Sequence, residues 1–279
     1  MLRDYCDLHT HTNCSDGTLT PTQLVAEAEA LGLGAIALCD HNTVAGLPEF
    51  LAAGASTRVR TVSGVEFSTD YGDTELHILA LFVRPEHYAP INDLVADAVE
   101  RKEASNLDLA RKLREAGYAI DYDRICASTN GTPNRANFGR ELVELGYCGS
   151  VKEAIHTLLS PKNGLYTPPK HPDSLEVIRF IRELGAVPVL AHPFLNMKEP
   201  ALRAFLPHAV SSGLQAMETL YSDFTPELTQ RAIALAEEFG LKQSGGSDYH
   251  GSAKPDIALG TGRGSLRIPI SVLRELENP

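Results

Sequence analysis

Two histidines one residue apart, His9 and His11, stand in the stretch DLHTHTNCSDGT, with Asp16 close behind them. On an extended strand, residues i and i+2 project to one face, so the two imidazoles can aim at a single point. Imidazole with carboxylate suits divalent Zn, Fe or Mn, and the lack of thiolate partners disfavours a structural zinc site. An isolated pair could equally be two half-exposed histidines on an edge strand, so the other polar residues must decide. They recur at the ends of apolar runs. Asp40 and His41 close GAIALCDH, Glu66 closes RTVSGVEF, His77 lies near the start of ELHILALFV, and His192 closes AVPVLAH. Asp248 ends LKQSGGSD, and His250 follows two residues later. Six of the ten histidines are placed in this way. With Asp16, Glu66 and Asp248 they outnumber what one ion needs and point to two or three divalent ions. His87, His156, His171 and His208 fall on loops or helices and read as solvent-facing or locally bonded.

Most of the runs that carry these residues have the character of strands covered on both faces, as in a parallel α/β sheet. The last, LKQSGGSD, is less apolar and is assigned by position. Two more belong to the series, YCDLH, which ends on His9, and LQAMETL between the fifth and last runs. Between them lie helix signals. Thr20-Pro21-Thr22-Gln23 has capping-box spacing with proline at the first helical position, and Gly32 is placed to end the helix. Asp173-Ser174-Leu175-Glu176 and Thr225-Pro226 open two more. Alternation of strand and helix over seven strands predicts a closed or nearly closed barrel, in which every strand's carboxyl end faces one rim and sites assemble there. Residues 1–87 and 171–279 make up this barrel. Residues 88–170 break the rhythm with helices over roughly 91–116, 135–145 and 150–159, as expected of a helical insertion subdomain over the barrel mouth.

Bulk properties narrow the function. The hydrophobic fraction of 43% and charged fraction of 22% are those of an ordinary globular chain. No apolar run approaches a membrane span and no signal peptide is evident, so a cytoplasmic protein without membrane association is expected. The five cysteines form no CxxC pair, and Cys6, Cys14 and Cys39, close to the histidine motifs, read as small buried residues beside a site. A formal net charge of −11 argues against long nucleic acid as a partner. It leaves room for a small anion, because bound divalent cations can reverse the local field. No obligate protein partner is evident.

With these residues in place the chain resembles the PHP (polymerase and histidinol phosphatase) family of metal-dependent phosphoesterases. DLHTHTNCSDG, ALCDHNTVAG, GVEFS with ELHILALF, AHPF and GSDYHG are similar to the family's motifs and appear in the family's order. The resemblance implies a distorted (β/α)7 TIM-like barrel and two or three divalent ions, Mn2+, Fe2+ or Zn2+. It implies that His9, His11, Glu66 and Asp248 hold one ion, Glu66, His77 and His192 a second, and Asp16, His41 and His250 a third. Glu66 would then bridge two ions, and Glu66 and His192 would act in catalysis. Asp40 would serve as an acid or, better, as an orienter of its neighbours.

The reaction implied is hydrolysis of a phosphate ester by water that the ions activate. Small phosphorylated substrates come first: a nucleoside 3′,5′-bisphosphate, a cyclic phosphate, or a related nucleotide or sugar phosphate. Histidinol-phosphate phosphatase and 5′-to-3′ exoribonuclease on short RNA are the alternatives, and a non-catalytic metal-binding module is a third class. Arg135 in TPNRANF could fork onto a phosphate, and Lys162 in SPKNG could supply a point charge. Asn137, Arg140 and Lys170 are weaker candidates for the same work.

Overall fold

Every apolar run singled out above becomes a strand. The computed structural model describes residues 3–129 and 132–277. Its strands are β1 (Tyr5–Thr10), β2 (Ala35–Leu38), β3 (Arg60–Tyr71), β4 (Thr74–Leu81), β5 (Val187–Leu190), β6 (Ala216–Tyr221), β7 (Lys242–Gly246) and a two-residue β8 (Ile268–Pro269). They form one sheet in the order β7-β6-β5-β4-β3-β2-β1-β8. The first three strands run parallel, as do β5, β6 and β7.

Two strands depart from the all-parallel expectation: the short β8 pairs antiparallel with β1, and β4 is reversed within the barrel. β4 is antiparallel to both neighbours, paired as Tyr71↔Thr74 next to the turn and Glu66↔Leu79 further along. Only Gly72 and Asp73 separate it from β3, too little chain for a helical crossover, and Gly72 takes the positive φ of 62° that such a tight turn requires. The reversal explains why His77 lies near the beginning of its run. The start of an antiparallel strand sits at the rim where its neighbours end.

The barrel nearly closes where the chain just past β7 meets the end of β1. The Asp248 N–H donates to the His9 carbonyl at 2.9 Å, and the His11 N–H to the Tyr249 carbonyl at 2.9 Å. The interior is filled by small and branched residues, among them Cys6, Leu8, Ala37, Cys39, Val189 and Ile268. Cys6 and Cys39 are fully buried, as small residues beside the site should be, and all five cysteines are free.

The outer helices start where their caps dictate. In α1 (Pro21–Leu31) the Thr20 side chain accepts from the Gln23 N–H and the Gln23 side chain accepts from the Thr20 N–H, while Gly32 ends the helix at φ 72°. The short α2 (Leu47–Gly54) follows β2 and precedes β3 in the chain. Then come α3 (Tyr88–Glu115), α4 (Tyr122–Ala127), α5 (Arg135–Glu144) and α6 (Val151–His156), of which α4 was not anticipated. The series ends with α7 (Ser174–Glu183), α8 (Pro193–Asn196), α9 (Glu199–Ser211), α10 (Pro226–Glu238) and α11 (Ile270–Leu276). Asp173 and Thr225 cap α7 and α10 as their sequences indicate.

The chain divides into two compact units: one takes the chain up to Asn92 together with the chain from His171, and the other is Asp93–Lys170. The second has its own core, built on Leu109, Leu113, Ile125, Phe138, Leu142 and Leu159. Arg124 pairs with the buried Glu141 across its α4 and α5. Among the described residues no helix is long and apolar enough to cross a membrane.

Close packing of β7 on β1 supplies a test of the closure. A Cβ on Gly246 would lie 2.1 Å from the His9 Cβ and 2.7 Å from its backbone nitrogen, with no flexible side chain to yield. Gly246→Ala is expected to destabilise the fold by at least about 1–3 kcal/mol, the range for overpacked cores. Urea unfolding followed by circular dichroism should show the lower midpoint.

Candidate metal centre

β3 delivers Glu66 to the rim, and the backbone of β2's exit loop holds it there: Glu66 N–H donates to Asp40 O at 3.2 Å and Asn42 N–H to Glu66 O at 2.8 Å. The carboxylate is wholly buried. Its Oε1 lies 2.9 Å from His77 Nδ1 and 3.0 Å from His192 Nε2. Its Oε2 lies 3.1 Å from His41 Nδ1, 3.2 Å from His9 Nε2 and 3.3 Å from His11 Nε2. Five imidazoles from four strand ends thus surround one carboxylate.

Asp16 anchors the other side. Its Oδ1 lies 3.1 Å from His250 Nε2 and 3.9 Å from His11 Nδ1, and its Oδ2 lies 3.9 Å from His41 Nε2. Asp248 stands between, with Oδ1 3.3 Å from His11 Nε2 and 3.4 Å from His250 Nδ1. All nine residues expected from the motifs therefore meet. Three overlapping groups have ligand atoms within 4.8 Å of one another: His11, Asp16, His41 and His250; His9, His11 and Glu66; and His41, Glu66 and His77. His11 and His41 each serve two groups, so the geometry is more interlocked than the division of ligands implied by the resemblance.

Several atoms here lack what buried polar atoms normally have. His9 Nε2, both nitrogens of His11, His41 Nδ1 and Glu66 Oε2 are buried without a hydrogen bond. Leaving such a group unsatisfied costs about 1–3 kcal/mol. Nitrogen lone pairs and a carboxylate oxygen facing a common centre are what a divalent cation satisfies, so the residues fit the ions the donor set calls for.

The electrostatics are of one piece with the geometry. Burial would raise the Glu66 carboxyl, but His41, His9 and His77 outweigh it and hold the group well below the usual carboxylate range. Against the same burial, Asp16 is held down by His250 and His41, and Asp248 by Lys254 and His250. Burial pushes His41 down to about 3, beyond what Glu66 and Asp16 restore. His11 and His77 overcome burial through their carboxylate neighbours and rise to about 9 and about 10.

Three further carboxylates hold the cage in register, and two of them, Glu218 and Asp7, were not foreseen. Glu218, fully buried in β6, takes the His9 Nδ1–H at 3.0 Å on Oε1 and the His192 backbone N–H at 2.6 Å on Oε2. This pairing leaves His9 Nε2 as the atom facing Glu66. The available signal was a lone carboxylate inside the apolar run LQAMETL. Asp7 on β1 accepts from the Ser247 and Gly260 N–H groups, both at 2.8 Å, and burial raises its carboxyl. Asp40 accepts from the Thr12 N–H and hydroxyl and from the Ser15 hydroxyl, at 2.7, 2.5 and 2.6 Å. It thus fastens the loop between His11 and Asp16.

Two of the nine residues sit on strained backbone. His192 has φ 28° and ψ 59°, and Asp248 has φ 57°, the left-handed region that side chains normally avoid. Arg135 and Lys162 lie in the other compact unit. Arg135 opens α5 with its guanidinium 5.1 Å from the centroid of the Tyr166 ring, and Lys162 sits exposed in the single turn Pro161–Asn163.

A nearly closed α/β barrel that gathers six histidines and several carboxylates at one rim defines a metal-dependent hydrolase. Comparison with known proteins agrees. The PHP domain model matches residues 7–137. A 5′-3′ exoribonuclease of Haemophilus influenzae is 31% identical over 90% of this chain and 91% of its own. A 3′,5′-nucleoside bisphosphate phosphatase of Chromobacterium violaceum is 28% identical over 97% and 96% of the two chains. A crystal structure from Bifidobacterium adolescentis, of a protein inferred to be a metal-dependent phosphoesterase, superposes with a TM-score of 0.85 at 28% identity, over 97% of this chain and 94% of that one. The chain belongs to the PHP family of metal-dependent phosphoesterases.

Glu218 allows a test of the supporting layer. Glu218→Ala should lower metal affinity about 10–100-fold, the usual cost of losing a partner behind a ligand. Metal content after gel filtration at limiting Mn2+ reads it, with far-ultraviolet circular dichroism confirming the fold.

Proposed function

We propose that the protein hydrolyses small phosphorylated substrates, nucleotide or sugar phosphate esters, with a nucleoside 3′,5′-bisphosphate or a cyclic phosphate foremost. The observation that carries this reading is Glu66 at the centre of five imidazoles, with the buried, unsatisfied atoms of His9, His11, His41 and Glu66 turned toward one another. His9, His11, Asp16, His41, Glu66, His77, His192, Asp248 and His250 would hold the ions, two or three of Mn2+, Fe2+ or Zn2+. Such cations supply Lewis acidity, lowering the pKa of a water and offsetting phosphoryl charge.

The chain's own residues do the rest. Glu66, kept ionised by the imidazoles around it, fixes the spacing of the centre. His192 on its strained turn presents Nε2 to Glu66 while its backbone N–H is locked on Glu218. Asp40 acts by orientation, because its oxygens are already engaged by Thr12 and Ser15. Arg135 and Lys162 are the candidate substrate contacts in the helical unit. The phosphatase relative, aligned over nearly the whole chain, and the net charge of −11 both favour a small anion over a long strand. The five free cysteines agree with a reducing, cytoplasmic setting.

A second reading, 5′-to-3′ removal of nucleotides from short RNA, is favoured by the 31% identity to the Haemophilus exoribonuclease. A panel of nucleoside bisphosphates, cyclic phosphates, histidinol phosphate and 5′-phosphorylated oligonucleotides, assayed for released phosphate or nucleotide, separates the readings. Turnover confined to the small esters is expected. Preference for oligonucleotides, with affinity falling steeply in salt, would transfer the assignment to RNA.

Glu66→Ala and His192→Ala should each cost at least about 100-fold in turnover at saturating Mn2+, since even the partners of metal ligands cost about 10–100-fold. Near-normal turnover in His192→Ala would contradict its assigned role. Chelation should abolish activity, and returning Mn2+, Fe2+ or Zn2+ should restore it. At a cation concentration 100 times the dissociation constant the fold should gain about 2.7 kcal/mol, seen as a higher thermal midpoint.

A further inference from the structure

Beside the metal centre, within the barrel unit, lies a cleft of about 290 Å3 that none of the assigned residues except Asp248 lines. Its other walls include Leu195, Tyr221, Lys254 and Ile257, together with the carboxylates of Asp223 and Asp256, both of which face Arg263. Asp248 is the partition between cleft and cage, and its two oxygens face opposite ways. Oδ1 is directed at His11 and His250. Oδ2 accepts from the Tyr221 hydroxyl at 2.8 Å and from Lys254 Nζ at 2.7 Å.

Lys254 differs from Arg263, the other cation lining this cleft. Arg263 is paired with Asp223. Among the described residues Lys254 pairs with Asp248 alone, a carboxylate whose other oxygen belongs to the ion-binding cage. An ammonium carries three donors, and among the described residues one is used. Its side chain is 40% exposed, so the tip meets the cleft rather than closed packing. Were Asp248 also to hold a divalent cation, its charge would be shared and the ammonium would be less fully compensated, since Asp223 and Asp256 in the same lining face Arg263. The group that would restore the balance is an anion in the cleft mouth.

We propose that Lys254 is a substrate-binding residue, donating to an oxygen of the scissile phosphoryl group, and that the cleft beyond it receives the organic part of the ester. This rests on the phosphoesterase reading above and deepens it. The apolar walls from Leu195 and Ile257 and the phenol of Tyr221 suit a compact organic group. A volume at the lower end of small-ligand pockets suits one sugar or nucleoside rather than several units of a polymer.

The test uses metal-loaded protein and three readouts: metal content, calorimetric titration with inorganic phosphate, and steady-state kinetics on the best ester of the panel. Lys254→Met should keep its metal, bind phosphate about 10-fold or more weakly, as expected on losing a hydrogen bond to a charged group, and show a raised KM. Lys254→Arg should recover part of both. Phosphate affinity within twofold of wild type in Lys254→Met, with metal retained, would overturn the proposal. Loss of metal together with phosphate affinity would also overturn it, because Lys254 would then act through Asp248. Wild-type protein that is fully metal-loaded yet neither binds phosphate nor cleaves any phosphate ester would instead overturn the phosphoesterase reading, and this proposal with it.

Discussion

A fully buried carboxylate with five imidazole nitrogens between 2.9 and 3.3 Å from its two oxygens is the constraint on which the molecule is built. Taking a carboxylate out of water is expensive unless opposite charge and hydrogen bonds replace the lost hydration. Protons alone solve this badly. Imidazoles this close repel one another when charged, and the result is an uneven cluster in which His11 and His77 are driven upward while His41 is driven down to about 3. Divalent cations concentrate the same positive charge at fewer points and use the nitrogen lone pairs that otherwise face each other. Metal binding and the stability of the barrel rim are therefore one free-energy problem rather than two.

The fold answers that problem with geometry taken from distant parts of the chain. Successive strand ends bring His9, His41, Glu66, His192 and Asp248 to one rim, and the reversed β4 brings His77 by its opposite end. Where a strand end alone would aim a side chain wrongly, the backbone is bent into the left-handed region, at His192 and Asp248. Strain of this kind persists only when the surroundings over-determine it. Glu218 does so for His192 by holding its N–H, and the Asp248 N–H is tied to the His9 carbonyl. The carboxylates behind the cage thus act on backbone as much as on side chains.

Much of this was legible in the sequence, for a physical reason. A histidine or carboxylate that ends an apolar run departs from the pattern of a buried strand, and in an α/β barrel such departures all point to one rim. The caps at Thr20, Asp173 and Thr225 were equally plain, because a side-chain acceptor followed by a helical stripe has few other uses. What stayed hidden was set by tertiary context. The direction of β4 depends on a two-residue turn, whereas its apolar content suits either direction. The pair of residues in β8 is too short to carry a pattern. Glu218 resembles an interruption in a core strand until His9 and His192 are seen on either side of it. Lys254, in a polar loop after the last motif, has the composition of any solvated lysine.

Asp248 shows how the parts combine. One oxygen belongs to the imidazole cage, and the other to Tyr221 and Lys254 at the edge of the cleft. A carboxylate used on both sides would couple what happens on each: a cation held by Asp248 would draw charge away from its contact with the ammonium. An anion arriving at the cleft would therefore meet a lysine most ready to release its internal partner when the ions are in place. Selection for phosphorylated molecules need not come from the charge of the whole chain, which is formally −11. It can be confined to a few ångströms at the rim, where buried carboxylates set the positions of cations and cations set the sign of the field.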